Sequence, residues 1–164
     1  MALQENSAGL PERTYHGVVP VHEYKKVIIK EEGMRDALLQ GLDGSQDFNW
    51  GYGGGGPTRL ANSLAADAFD DVTYADAFGW HFSDGLVRTF KKDHSFEVSR
   101  DRIVLEGLIA FQDMVNKSRS QEGRFFMEVI QQLIARRHDT RDKMMSLLSR
   151  KALTNLTNSR YGLK

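Results

Sequence analysis

Five of the seven residues from Gly51 to Pro57 are glycine, and no other stretch of the sequence constrains the fold as strongly. Glycine weakens the interior of a helix or a strand, but it fits turns in which the backbone needs a positive φ. Leucine and alanine residues in the following segment, 58–69, recur at helical spacing. Pro57 suits the first turn of that helix, because its missing N–H has no helical partner there. The sequence therefore predicts a glycine-rich loop at residues 51–56 that leads into a helix.

Strand-like segments precede the loop. Residues 15–19 and 24–30 are rich in β-branched and aromatic side chains, and Pro20 between them favours a turn. They predict an antiparallel pair of strands. Residues 34–39 are compatible with a short helix or a further extended segment, and residues 48–50 predict another short strand.

Apolar residues at helical spacing predict four more helices. These are residues 74–92, a helix capped by Ser99 that continues to residue 115, residues 125–134 and residues 140–156. With the N-terminal strands, the pattern predicts an α+β fold. We expect a small N-terminal antiparallel sheet packed with helices and followed by a C-terminal basic helical hairpin.

The length of 164 residues fits one hydrophobic core with an appendage. We expect a flexible tail at residues 1–14, an α+β domain at residues 15–116 and a basic helical extension at residues 117–164. Since the chain has no cysteine, thiol nucleophiles, cysteine-ligated zinc, iron–sulfur clusters and disulfides are excluded. The polar N-terminus and the lack of a stretch of roughly 20 apolar residues predict a cytoplasmic protein with no membrane contact.

The net charge of zero hides an uneven distribution. Residues 1–115 have a net charge of −7, and residues 116–164 have a net charge of +7. Such a division indicates either nucleic-acid binding or a basic segment that docks on an acidic body, in the same molecule or in a second copy. A homo-oligomer is therefore one expectation. The candidate nucleic-acid- or partner-binding residues are Arg136, Arg137, Arg141, Lys143, Arg150 and Lys151.

The glycine-rich loop can also be interpreted as a ligand site. A strand, a glycine run and a helix N-terminus together are typical of phosphate binding, and Arg59 would supply the cation. The loop has neither the Lys-Ser/Thr of a P-loop nor the Rossmann spacing, and a purely structural role remains the alternative. The candidate ligand- or anion-binding residues are Trp50, Gly51, Tyr52, Gly53, Gly54, Gly55, Gly56 and Arg59.

The segment from Phe48 to Ala61 resembles the F-x-W-G-Y-G-G-S-G-P signature of a small family of unknown function met in bacteria, phages and plasmids. The resemblance extends from the Tyr15-His-Gly opening to about Leu108. It implies a compact α+β domain carried by a mobile element, located in the host cell cytoplasm if it is phage-encoded, and it indicates no particular activity. Gly55 stands where the family usually has serine, so any ligand contact made by that hydroxyl is missing here.

The sequence contains few patterns that indicate a catalytic or metal-binding site. The five histidines are scattered without metal-binding spacing, and Asp67, Asp70 and Asp71 form an acidic cluster that could hold Mg²⁺ only beside a phosphate ligand. We assign no catalytic residue, metal or cofactor, and we leave enzymatic activity open with a leaning against it.

Three hypotheses of function follow. The first is a non-enzymatic phage- or plasmid-type accessory protein that binds another protein, such as a component of a host or competitor defence system. The second is a nucleic-acid-binding protein that uses the basic C-terminal helices. The third is a nucleotide- or anion-binding protein that uses the glycine-rich loop and Arg59.

Overall fold

The fold is described from a computed structural model. The structure describes residues 9–120 and 126–158, with side chains up to residue 156. Four strands form one antiparallel sheet in the order β3-β2-β1-β4. They are β1 (Arg13–Val18), β2 (Lys26–Glu31), β3 (Ala37–Leu38) and β4 (Phe96–Ser99).

Alternating side chains give the sheet one buried face. Tyr15 in β1 is fully buried and pairs with Ile29 in β2 and with Val98 in β4. Gly17 lies opposite Phe96, and a Cβ at this glycine would come within 2.2 Å of the phenylalanine ring. The missing side chain lets the Phe96 ring cover the strand.

Six α-helices occur among the described residues. They are α1 (Gly55–Phe69), α2 (Val72–Gly85), α3 (Arg100–Ser118), α4 (Glu128–Ala135), α5 (Arg137–Ser146) and α6 (Arg150–Asn158). The predicted α+β fold class, with an N-terminal antiparallel sheet and C-terminal helices, is confirmed. Within the described ranges, no helix is long and apolar enough to cross a membrane.

Most predicted elements before residue 120 are present. The first strand pair is confirmed, with β1 beginning two residues earlier than predicted, and the extended alternative for residues 34–39 is confirmed in β3. The predicted strand at residues 48–50 is wrong. Phe48 donates one backbone hydrogen bond to the Lys25 carbonyl at 3.0 Å, but Gly51 follows with a φ of 84° and turns the chain away before a ladder can form.

Two predicted helices are shorter than expected. The helix predicted at residues 74–92 ends at Gly85 and is followed by a 3₁₀ turn at Val87–Thr89. The helix predicted at residues 140–156 is two helices, α5 and α6. The break occurs because the Ser149 N–H and hydroxyl both bind the Asp101 carboxylate at the start of α3, while the same hydroxyl caps α6 by accepting from the Ala152 N–H at 3.2 Å.

The predicted C-terminal hairpin is therefore three short helices. Of the predicted helix at residues 125–134, the structure contains α4, and residue 125 lies outside the described part of the chain. Met144 and Leu148 from this region are fully buried in the same core as Trp50 and Phe69. The C-terminal helices thus complete the core.

The N-terminal segment contacts the turn between α5 and α6 and the start of α3. Leu10 donates its backbone N–H to the Leu148 carbonyl at 3.3 Å, and the Pro11 carbonyl accepts a hydrogen bond from the buried Arg100 guanidinium at 2.6 Å. Both residues belong to the predicted flexible tail. Residues 1–8 of that tail and residues 159–164 lie outside the described residues.

Candidate functional site

Glycines in the loop at residues 51–56 have two kinds of environment. Gly51 has a φ of 84°, and a Cβ there would come within 2.5 Å of the Lys92 backbone nitrogen. Gly54 precedes α1 with a φ of 134°. A Cβ at Gly53 or Gly55 would meet no atom within 4 Å. The backbone therefore requires glycine at residues 51 and 54, but not at these two open positions.

The two aromatic residues of the loop differ in exposure. Trp50 is fully buried, donates its indole N–H to the His94 carbonyl at 2.8 Å and packs edge-to-face on Phe96. Tyr52 is partly exposed, and its hydroxyl lies 2.8 Å from the position of a Cβ at Gly56. Trp50 thus anchors the loop to the core, while Tyr52 covers the turn into α1.

Arg59 lies beside a shallow cavity of about 310 Å³ between the loop around Leu42 and the start of α1. Its Nε is 3.8 Å from the Asp43 carboxylate, and its guanidinium lies over the Phe48 ring. Hydrogen bonds from the Ser45 hydroxyl and backbone, with a contribution from Arg59, hold the pKa of Asp43 below its ordinary value. Arg59 therefore already has an anionic neighbour within the protein.

Asp67, in the acidic cluster at the end of α1, is bound inside the protein. It accepts hydrogen bonds from the Arg13 guanidinium at 2.9 Å and from the Tyr15 hydroxyl at 2.7 Å. Burial and the charge of Asp67 raise the pKa of Tyr15, so the phenol remains a donor. Arg13 also pairs with Glu31. This network joins α1 to the sheet.

Asp70 and Asp71 have separate positions at the turn between α1 and α2. Asp70 is exposed and ends α1 with a left-handed φ of 51°. Asp71 caps α2 by accepting from the Thr73 N–H at 2.9 Å, and it binds the Lys143 ammonium of α5 at 2.9 Å. The described parts of the chain contain no group of three or more His, Asp or Glu residues that could hold a metal ion.

The Lys143 contact also includes an aromatic ring. Its ammonium lies 5.1 Å from the centre of the Tyr74 ring, one helical turn after Asp71. Burial and the charge of Asp71 raise the pKa of Tyr74 to about 12. A basic side chain of α5 therefore docks on a carboxylate and an aromatic ring at the start of α2.

We expect the Lys143→Met variant to lose stability in a pH-dependent way. Burial raises the pKa of Asp71, but the hydrogen bonds from Lys143 and Thr73 outweigh that effect, and the pKa lies below its ordinary value. The stabilisation is therefore present above the ordinary carboxyl pKa and is lost as the pH falls through the lower pKa of the folded protein. Urea unfolding should show a loss of about 0.5–1 kcal/mol near pH 7 that shrinks near pH 2.5.

Arg150→Met is the matched control for this variant, since Arg150 is an exposed basic residue of α6. Its stability should stay within about 0.5 kcal/mol of the wild type at both pH values. An equal loss for Lys143→Met at both pH values would show that the Lys143 stem, and not its charge, stabilises the protein.

The other basic candidates differ in exposure and surroundings. Arg136 and Arg137 are exposed at the junction of α4 and α5, and Arg141 is half-buried. Arg150 and Lys151 border a groove of about 670 Å³ that also contains Glu12 and Glu32. Acidic side chains thus accompany the basic ones in that groove.

An exposed face of α2 combines apolar and acidic side chains. Val72, Asp76, Trp80 and Asp84 follow one another at four-residue intervals, so they form one stripe along the helix, which we call the α2 stripe. Val72 is 62% exposed and Trp80 is 58% exposed. Tryptophan is usually well buried, so an open indole on a regular helix indicates a contact surface.

The opposite face of α2 holds the helix firmly against α1. Phe78 and Phe82 are fully buried, and a Cβ at Gly79 would overlap the Asn62 amide. The Ser83 hydroxyl lies 3.1 Å from the Thr58 hydroxyl of α1. The α2 stripe therefore stands on a rigid element, as a preformed binding surface should.

The apolar pattern of residues 74–92 predicted the buried face of α2 but did not single out Trp80. The usable signal is local: Trp80 lies one turn from Asp76 and one turn from Asp84, on the polar side of the helix. A large aromatic residue between two carboxylates on a polar face is a stronger sign of a contact surface than the glycine run.

These features define a small α+β protein with a four-stranded antiparallel sheet, a helical layer and an exposed aromatic–acidic helix face. The chain belongs to the family described as "Family of unknown function (DUF6166)", which matches residues 12–107. The resemblance to a family of unknown function is thereby confirmed, over nearly the range that the motif indicated. Searches of curated proteins and of solved structures found no match.

Proposed function

We propose that this protein acts by binding another protein through the α2 stripe. The observation that carries the proposal is Trp80, which is 58% exposed in the middle of a helix whose other face is fixed in the core. Exposed tryptophans contribute a large share of the binding energy in protein interfaces, because one side chain buries a wide apolar area. Val72 extends this apolar area by two turns.

The proposal keeps the accessory role expected from the family motif. Such a protein, carried by a phage or plasmid, acts on a host or competitor system by occupying a surface of one of its components. Protein binding of this kind needs no catalytic group. The basic C-terminal residues are secondary in this proposal, because Lys143 is already bound to Asp71.

The Trp80→Ala variant should lose its protein partner while the fold is kept. Truncating a central interface tryptophan weakens binding by about 2 kcal/mol or more, which is roughly 30-fold in Kd. The measurement is a tagged pull-down from a lysate of the source cells, with proteins quantified by mass spectrometry. The lysate is divided into nuclease-treated and untreated halves.

Tyr24→Ala is the matched control, because Tyr24 is an aromatic residue that is 78% exposed and lies outside α2, just before β2. A stoichiometric partner that survives nuclease, persists with Tyr24→Ala and disappears with Trp80→Ala supports the proposal. Recovery of nucleic acid alone, or a partner equally retained by both variants, contradicts it.

A further inference from the structure

Most of the hairpin formed by α1 and α2 has acidic side chains and no basic ones. Residues 60–87 contain five aspartates and no lysine or arginine. Two of these aspartates are bound by cations from elsewhere in the chain, Asp67 by Arg13 and Asp71 by Lys143, each at 2.9 Å. Asp76 forms no ion pair with any described residue, and Asp84 binds only the neighbouring Arg88, in an exposed pair. The α2 stripe therefore has one carboxylate, Asp76, without an ion-pair partner among the described residues, and a second, Asp84, whose exposed pair with Arg88 a partner's cation would replace.

The Lys143 contact gives an internal example of what α2 binds. A lysine from the helix α5 contacts both a carboxylate, Asp71, and the face of an aromatic ring, Tyr74. Further along the same helix, Asp76 and Trp80 offer the same pair of groups one turn apart, and Asp84 adds a second carboxylate one turn later. Tryptophan is the aromatic side chain that attracts cations most strongly.

We propose that the partner contacts the α2 stripe with a basic α-helix. Lysine or arginine side chains of that helix pair with Asp76 and Asp84, one of them lies over the Trp80 indole, and an apolar side chain covers Val72. This inference rests on the proposed function, and it adds the chemistry of the partner. A stripe that combines charged and apolar side chains along one helix favours an amphipathic helix as its partner over a partner with a flat apolar surface.

The spacing of the stripe sets the spacing on the partner. At 1.5 Å per residue, Asp76 and Asp84 are roughly 12 Å apart along α2. A partner helix that lies along α2 therefore needs two cations seven or eight residues apart to reach both carboxylates. A leucine about four residues beyond the cation that faces Asp76, on the side away from Asp84, would cover Val72.

The test uses the full chain and a synthetic helical peptide as the probe. The peptide is alanine-based, with two arginines eight residues apart and a leucine four residues outside one of them. The chain has two tryptophans, and only Trp80 is exposed, so a change in tryptophan emission on titration reports on the stripe. The Trp80→Phe variant identifies the signal, and binding to that variant is followed by the anisotropy of a labelled peptide.

Charge reversal on the stripe should weaken binding strongly. We expect the double variant Asp76→Lys with Asp84→Lys to raise the peptide Kd by about tenfold or more, and Trp80→Ala to do the same. The control is Glu32→Lys with Asp36→Lys, two exposed acidic residues after β2 that give the same change in net charge. Its Kd should stay within about twofold of the wild-type value in buffer of about 0.15 M salt, where distant charges are screened.

Several results would overturn the inference. One is an equal loss of affinity in the control double variant, and another is equal binding of a peptide in which the two arginines are adjacent. Self-association that depends on Trp80, measured by sedimentation, would make a second copy of the chain the occupant and would also overturn it.

A lysate partner that needs Trp80 but tolerates charge reversal at Asp76 and Asp84 leaves the proposed function standing and rejects the basic helix. A lysate partner that is indifferent to Trp80 rejects both.

Discussion

Gly51→Ala should destabilise the protein by about 3 kcal/mol. A non-glycine residue in the left-handed region costs about 1–2 kcal/mol, and Gly51 has a φ of 84°. The added methyl group would also come within 2.5 Å of the Lys92 nitrogen and 2.7 Å of the Phe90 carbonyl oxygen. These are backbone atoms and cannot rotate aside, so overpacking adds about 1–3 kcal/mol. Thermal unfolding should show a decrease in Tm of about 10 °C.

Gly55→Ala is the matched control in the same loop. Gly55 begins α1, has no positive φ and has no atom within 4 Å of an added Cβ. Alanine restricts the unfolded chain and favours the helix, so its free energy of unfolding should rise by about 0.5 kcal/mol. If the two substitutions change stability equally, the loop does not have the backbone geometry described, and the structural account of Gly51 is wrong.

Local signals in the sequence predicted the elements whose ends depend on local chemistry. The glycine run and Pro57 predicted the start of α1, and Ser99 predicted the start of α3, where its hydroxyl accepts from the Arg102 N–H at 3.1 Å. Such caps act within one turn of the chain, so the residues beside them are sufficient to find them.

Elements that end through distant contacts could not be predicted in this way. The break between α5 and α6 depends on Asp101, which lies 48 residues before Ser149. The strand expected at residues 48–50 does not form, because the chain turns at Gly51, whose N–H binds the distant Val87 carbonyl at 3.2 Å. In both cases a tertiary contact outweighs the local propensity.

At the candidate site, too, the residues that the sequence pattern singled out differ from those that the structure exposes. The sequence directed attention to the glycines and to Arg59, but Trp50 is buried and Arg59 faces Asp43. Whether these residues bind a ligand stays a prediction. Trp80 was not singled out, because Phe78, Gly79 and Phe82 give residues 78–82 a generally apolar character, although Asp76 and Asp84 one turn away mark the polar side of the helix.

Met144→Ala should destabilise the whole protein, and not only its C-terminal helices. Met144 in α5 is fully buried, and its terminal methyl group lies 3.1 Å from the position of a Cβ at Gly107 in α3. The same position is 2.6 Å from the Phe69 ring of α1. Removing a buried methionine side chain costs about 2–5 kcal/mol, because it loses apolar burial and leaves a cavity. We expect a loss of about 3 kcal/mol.

Met127→Ala is the control with the same substitution, since Met127 is 49% exposed before α4. Its effect should be below about 0.5 kcal/mol. Both substitutions are made in a Trp80→Phe background, which leaves Trp50 as the remaining tryptophan of the chain. The readout is urea unfolding followed by the emission of Trp50, which is buried within the family-matched residues 12–107. If the extension at residues 117–164 folded separately, Met144→Ala would leave the Trp50 transition in place. A shift of that transition to lower urea, in step with the loss of helical circular dichroism, means instead that α5 and the family-matched region unfold as one cooperative unit.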